Sequence, residues 1–147
     1  MFTRMRRAGA GVNERMARAV LAPAIATMLA DGRVDDSEVE QIHNLCSFSP
    51  IFSSFNQEQL RLMIKEDAIE LERIGEDAAI ANAARLLPPT LCETAFAFAA
   101  RVAAADGKVE EREDEVLTKI VRLMGIPVEA RDKILDVVII LQRGPRD

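Results

Sequence analysis

Two stretches decide how this chain folds: Ala30-Asp31-Gly32-Arg33-Val34-Asp35-Asp36-Ser37-Glu38 and Ala105-Asp106-Gly107-Lys108-Val109-Glu110-Glu111-Arg112-Glu113. They align without a gap at a shift of 75 residues, with Asp, Gly, Val and Glu identical and the charged positions preserved in sign. Each follows an Ala-rich apolar run (residues 19–30 and 96–105) and precedes an apolar pattern of helical spacing. Glycine at a helix end supplies the left-handed backbone that other residues avoid. An acidic residue with Glu three positions on can accept the free N–H groups of the next helix and have its own N–H accepted in return. Each stretch therefore reads as a stop followed by a start: helix, glycine corner, helix. Val34 and Val109 are expected to plug these corners into the core. Two copies at so long a period do not make a solenoid, so the reading is a pseudo-symmetric domain with two related helical hairpins.

Working outward, the first helix is expected over residues 12–30, with Pro23 inside it or delaying its start. The second opens on the Asp35 cap and turns Val39, Ile42, Leu45 and Cys46 to one face. Residues 47–55, containing Pro50, read as a loop. Asn56 caps a third helix carrying Leu60, Met63, Ile64 and Leu71, and Gly75 separates it from a fourth over residues 76–87. Pro88 and Pro89 end that helix and start a fifth reaching Ala105. A sixth directs Val116, Leu117, Ile120, Val121 and Met124 inward; Gly125 and Pro127 separate it from a last helix over residues 128–142. Residues 137–141 (VVIIL) have strand propensity, but no other segment could pair with them, so helix is retained. The expectation is an all-α single domain of seven helices over residues 13–143, preceded by a basic flexible tail at residues 1–12.

Length and composition agree. The chain has 147 residues, 49 % apolar and 29 % charged, enough for one packed core and unlike a disordered chain. Six Phe with no Tyr or Trp give no stacking platform for single-stranded nucleic acid, and a net charge of −5 argues against binding phosphate backbones. No nucleic-acid partner is expected. The charge is unevenly spread: residues 1–20 carry +4, which leaves −9 on the rest. The body should attract cations, either metal ions or basic protein surfaces. The apolar run at residues 19–30 resembles a targeting segment, but it is too short to span a bilayer. The similar run at 96–105 lies deep in the chain, so both read as core helices. The Arg-rich start could at most rest on a membrane surface. Cys46 and Cys92 lack metal-ligand spacing, and with His43 the lone histidine a Cys/His zinc site is not expected. Free thiols in a cytoplasmic protein are the reading.

The chemistry that remains visible is carboxylate. Asp31, Asp35, Asp36 and Glu38 gather in one copy, and Asp106, Glu110, Glu111 and Glu113 in the other. Capping explains most of them. Asp31 and Asp106 are left over, because they fall at helix C-termini where the dipole disfavours negative charge. An Asx-type turn could satisfy them. So could a hard divalent ion, Ca²⁺, Mg²⁺ or Mn²⁺, shared among these eight residues. An EF-hand is excluded, since its earlier ligand positions would fall on Thr27 and Leu29 in one copy and on Val102 and Ala104 in the other. No phosphate-binding glycine loop, nucleophile elbow or HExxH motif is present, and no catalytic activity is expected. His43 reads as a surface or partly buried side chain. Glu66, Asp67 and Glu70 read as a solvated helix face, and Met28, Met63 and Met124 as core. Ile139 and Ile140 exceed what one core can cover, which leaves room for a homodimer.

The doubled Ala-rich helix followed by D-G-x-V-acidic-acidic-x-E resembles the TerB-like proteins of the bacterial tellurite-resistance group. The resemblance spans roughly residues 15–140 and includes the stretch 47–60 (SFSPIFSSFNQEQL) and the Met124-Gly125-Ile126-Pro127 segment. It implies a seven-helix cytoplasmic fold with an acidic surface that binds a divalent metal, Ca²⁺ among the candidates. It further implies a place in a stress-response or membrane-associated protein assembly, and no enzymatic role. A related domain precedes the J-domain in some membrane-anchored DnaJ-type co-chaperones. The pattern carries over to Asp31, Gly32 and Glu38, and to Asp106, Gly107 and Glu113; the Arg-rich start lies outside it. Two functions follow as expectations: a metal-binding module, or a metal-independent adaptor docking basic segments of a partner.

Overall fold

A computed structural model describes residues 2–30, 32, 35–105 and 107–147, the side chains of residues 2–12 excepted. Among them are seven α-helices and no strand: α1 (Phe2–Leu29), α2 (Asp36–Cys46), α3 (Gln57–Ile74), α4 (Glu76–Leu86), α5 (Pro89–Ala104), α6 (Glu111–Met124) and α7 (Val128–Leu141). A single 3₁₀ turn, Pro50–Phe52, lies in the connection between α2 and α3. The all-α expectation holds, and so does the helical reading of residues 137–141.

The helix starts follow from local chemistry. The Asp35 side chain accepts the Glu38 N–H at 2.9 Å while Glu38 Oε2 accepts the Asp35 N–H at 3.1 Å, a reciprocal cap that satisfies two orphan donors of α2. Asn56 and Gln59 make the same exchange at the start of α3, with both bonds at 2.8 Å. Pro89 opens α5, where a missing N–H costs nothing. Gly32 and Gly107 follow the ends of α1 and α5 with φ of +130° and +79°, a region that disfavours side chains.

One boundary differs from expectation. α1 begins at Phe2 rather than near residue 12, so residues 2–12, read as a tail, form its first turns. Gly9 and Gly11 each cost a helix about 1 kcal/mol relative to Ala, and the Ala, Met and Arg residues around them favour it.

The core centres on α1 and α5. α1 packs against α5, α4 and α3, and α5 also packs against α7 and α6. Val20, Leu21, Ala24 and Ile25 of α1 are almost wholly buried, as are Ala95, Phe96, Ala99 and Ala100 of α5. Alanines on both helices let the two backbones approach closely. The apolar runs at residues 19–30 and 96–105 are thus helices covered on nearly every side, which is why each lacks a polar face. Pro23 sits inside α1; Thr27 Oγ1 donates to the Pro23 carbonyl at 2.8 Å in this buried stretch. No helix among the described residues is long and apolar enough to cross a membrane.

Candidate functional site

The eight carboxylates expected as ion ligands fall into three groups. Asp31 and Asp106 lie outside the described residues, as does Val34. Asp35, Glu38 and Glu113 turn back on their own helices. Asp35 Oδ1 accepts from the Glu38 N–H and from the Ser37 hydroxyl, both at 2.9 Å, and Glu113 Oε1 accepts the Glu110 N–H at 3.0 Å. Glu113 is only 4 % exposed. The third group faces solvent. The Asp36 carboxylate is 97 % exposed, with Lys65 Nζ at 3.7 Å, and Glu110 and Glu111 are exposed at the start of α6.

The two corners have different neighbours. α2 packs chiefly on α3, whereas α6 packs on α5 and α4. Among the described residues, no group of three or more His, Cys, Asp or Glu side chains is placed to hold a metal ion. Capping takes oxygens from Asp35, Glu38 and Glu113 that an ion would need.

The second corner also departs from the expected plug. Val109 is 43 % exposed. An apolar residue just before a cap is normally buried by an apolar residue in the first helical turn, five positions on. That position is Asp114, which offers Val109 no apolar partner.

Sequence spacing underestimated two polar side chains. Asp67, expected on a solvated face, is only 15 % exposed in its side chain and binds Arg18 across the α1–α3 contact. Arg18 Nη1 donates to Asp67 Oδ1 at 2.8 Å, and Nη2 donates to Glu66 Oε1 at 3.0 Å and to Glu14 Oε1 at 3.1 Å. Asp67 Oδ2 is buried with no hydrogen-bond partner among the described residues. Burial pushes the Asp67 carboxyl up to about 6, outweighing the Arg18 guanidinium, which pulls it down. Burial also opposes the charge on Arg18, yet the bonds to Glu66, Asp67 and Glu14 outweigh it and hold its pKa above the ordinary arginine value. The signal was there: Asp67 shares a helical face with Ile64 and Leu71, both buried.

His43 is the second case. It is 6 % exposed, with Nδ1 unpartnered among the described residues, because it shares a buried face with Val39, Ile42 and Cys46. Cys46 and Cys92 are free and buried, and burial raises both thiols, Cys46 to about 12. A thiol held that high is protonated at neutral pH and is a poor nucleophile. Met28, Met63 and Met124 are buried as expected, whereas Ile139 and Ile140 are 60 % and 51 % exposed on α7.

No curated protein and no solved structure matches the chain. The family model described as "Tellurite resistance protein TerB" matches residues 17–136, from the buried part of α1 into α7 and across both corners. With most of its length matched, the chain belongs to the TerB family of tellurite resistance proteins.

Proposed function

We propose that this chain is a non-catalytic docking module of a tellurite-resistance or stress-response assembly, and that its exposed carboxylates receive a basic segment of a protein partner. The observation that carries this reading is the uncompensated charge at the start of α6. At the exposed start of α6, Glu110, Glu111, Asp114 and Glu115 have Lys108 and Arg112 as the nearby cations in sequence. A helix N-terminus adds about +0.5 charge, so roughly −1.5 remains over these six residues. Arg112 is engaged by Glu115 at 3.5 Å. Glu111 and Asp114 are exposed and make no ion pair among the described residues. The buried, protonated thiols and the buried imidazole supply no assembled nucleophile and base, which supports a role without catalysis.

The test is calorimetric titration of the full chain with a synthetic Arg/Lys-rich peptide at two ionic strengths. Saturable binding that weakens with salt, and weakens again in the Glu111→Gln, Asp114→Asn double variant, is expected. Binding indifferent to both would overturn the reading. A divalent ion held by Asp31 and Asp106 with Asp36, Glu110 and Glu111 is the competing reading. Saturable amide shifts at residues 30–38 and 105–113 in Ca²⁺, Mn²⁺ or Mg²⁺ would favour it, and their loss in Asp31→Asn with Asp106→Asn would establish it.

A further inference from the structure

A cavity of about 250 Å³ lies between α1, α3 and α4, away from the acidic corners. Its walls are apolar: Ala19 and Ala22 from α1, Leu71 and Ile74 from α3, Ala83 and Leu86 from α4. Three of these six are alanines, and their small side chains leave the space open. Arg15, Arg18, Ala19 and Ala22 share one face of α1 at helical spacing, so two guanidinium groups join the same lining.

The charges along this lining are not equivalent. Asp67 is bound by Arg18 at 2.8 Å, and Glu70 is bound by Arg73 through Nε at 2.9 Å. Arg18 is further occupied by Glu66 and Glu14. Arg15 is exposed and makes no hydrogen bond or ion pair among the described residues. Arg15, at the edge of an apolar hollow, thus has no anion of its own among the described residues. Leu86, 44 % exposed, stands at the same edge.

We infer that this cavity binds an anionic amphiphile, a monocarboxylate whose apolar chain enters between α1, α3 and α4 while its head group pairs with Arg15. Size limits the length of the apolar chain. A dry apolar cavity of about 150 Å³ accommodates benzene, so one of this volume takes a chain of roughly eight carbons. Charge calls for an anionic head group, and a guanidinium can hold a carboxylate with two parallel hydrogen bonds. The site shares no residue with the acidic docking surface, so either proposal can fail without the other.

Octanoate and 1-octanol are the probes, titrated into the full ¹⁵N-labelled chain. Octanoate is expected to give saturable amide shifts centred on Ala19, Ala22, Ile74 and Ala83, with 1-octanol binding about tenfold more weakly. Arg15→Gln, at an exposed position that does not test folding, is expected to reduce octanoate affinity about tenfold and leave 1-octanol unchanged. Ala22→Leu, which fills the cavity, should weaken both. The inference is overturned by absence of saturable shifts, by shifts centred elsewhere, or by an Arg15→Gln variant that binds octanoate as before. Shifts at the same amides that depend on protein concentration without ligand would assign the groove to a second copy, and would also overturn it.

Discussion

The chain turns from helix to helix twice through the same run of residue types, but the two corners rest on different supports. At the first, a short Asp35 side chain caps α2, Glu38 reaches back to its amide, and the next residue is Val39, buried at 3 % exposure. At the second, Glu113 makes the reciprocal bond to the Glu110 amide and is itself buried, while the next residue is the exposed Asp114. The first corner is anchored by an apolar residue after the cap; the second is anchored by the cap residue itself. A similar capping pattern can thus be embedded differently, and the embedding decides what each residue is worth.

The largest effect should come from the helices leading into the corners. Leu21 of α1 and Phe96 of α5 stand 75 residues apart, and both are at most 1 % exposed. Phe96→Ala should cost about 3–5 kcal/mol, as aromatic truncations in packed cores do, and Leu21→Ala about 2–5 kcal/mol. Urea unfolding at constant slope measures both. A Phe96→Ala cost below that of Glu113→Ala would show that α5 does not bear the load its burial indicates.

Next is the pH response, which separates the ion pairs of the two halves. Arg18 and Asp67 tie α1 to α3 through a largely buried carboxyl, whereas Lys119 ties α6 to α4 by bonding Glu76 and, at 2.7 Å, the exposed Asp77. Burial raises Asp67 from 3.8 to about 6. An acid raised in the folded state carries a penalty at neutral pH that is relieved as pH falls through 6 and is gone below 3.8. The relief is at most about 3 kcal/mol. Arg18, Glu14 and Glu66 face this carboxyl, and all three are present in both the wild type and Asp67→Asn. The Lys119 ammonium holds Asp77 below its usual range, which has the opposite sign: stability is lost as pH falls through that lowered value. Arg61 does the same to Glu40, and Arg73 to Glu70. These losses are common to both proteins. Between pH 7 and 4 the wild type should therefore lose less stability, or gain more, than Asp67→Asn; equal slopes would remove Asp67 from the account.

These contrasts show how much the sequence could disclose. Six of the seven helix starts, and the Gly75 and Gly125 breaks, were legible because caps, glycines and prolines act within four residues of the boundary they set. Asn56 with Gln59 and Pro88 with Pro89 show this directly. The start of α1 was not, because residues 2–12 carry two glycines and no cap signal. Burial at the corners was legible only where both members of a contact are close in sequence. His43 and Asp67 could have been assigned to buried faces by their spacing from Ile42, Cys46, Ile64 and Leu71. The partner of Asp67 could not, since Arg18 lies 49 residues away and only the packing of α1 on α3 brings them together. The cavity beside them follows from the same packing and leaves no local trace.

The caps distinguish the two corners most directly. Removing a capping side chain costs about 1 kcal/mol. Glu113→Ala should cost about 2 kcal/mol, because the buried position loses packing and a hydrogen bond together. Glu38→Ala, at a partly exposed position, should cost about 0.5–1 kcal/mol. Thermal unfolding at pH 7 resolves that difference. Equal costs would mean that the two corners are energetically alike despite their different burial.

The smallest effect is expected at Val109, and it tests why the second corner differs. Its side chain is 43 % exposed and precedes the Glu110 cap. Five positions on stands Asp114 rather than an apolar residue, so no contact across the first turn of α6 is available to lose. Val109→Ala should therefore change stability by no more than about 0.5 kcal/mol, the range of surface substitutions without a special role. A loss above 1 kcal/mol would mean that Val109 does plug the corner, and the contrast with Val39 would then vanish. A near-zero value would leave the buried Glu113 as the residue that holds this corner in place.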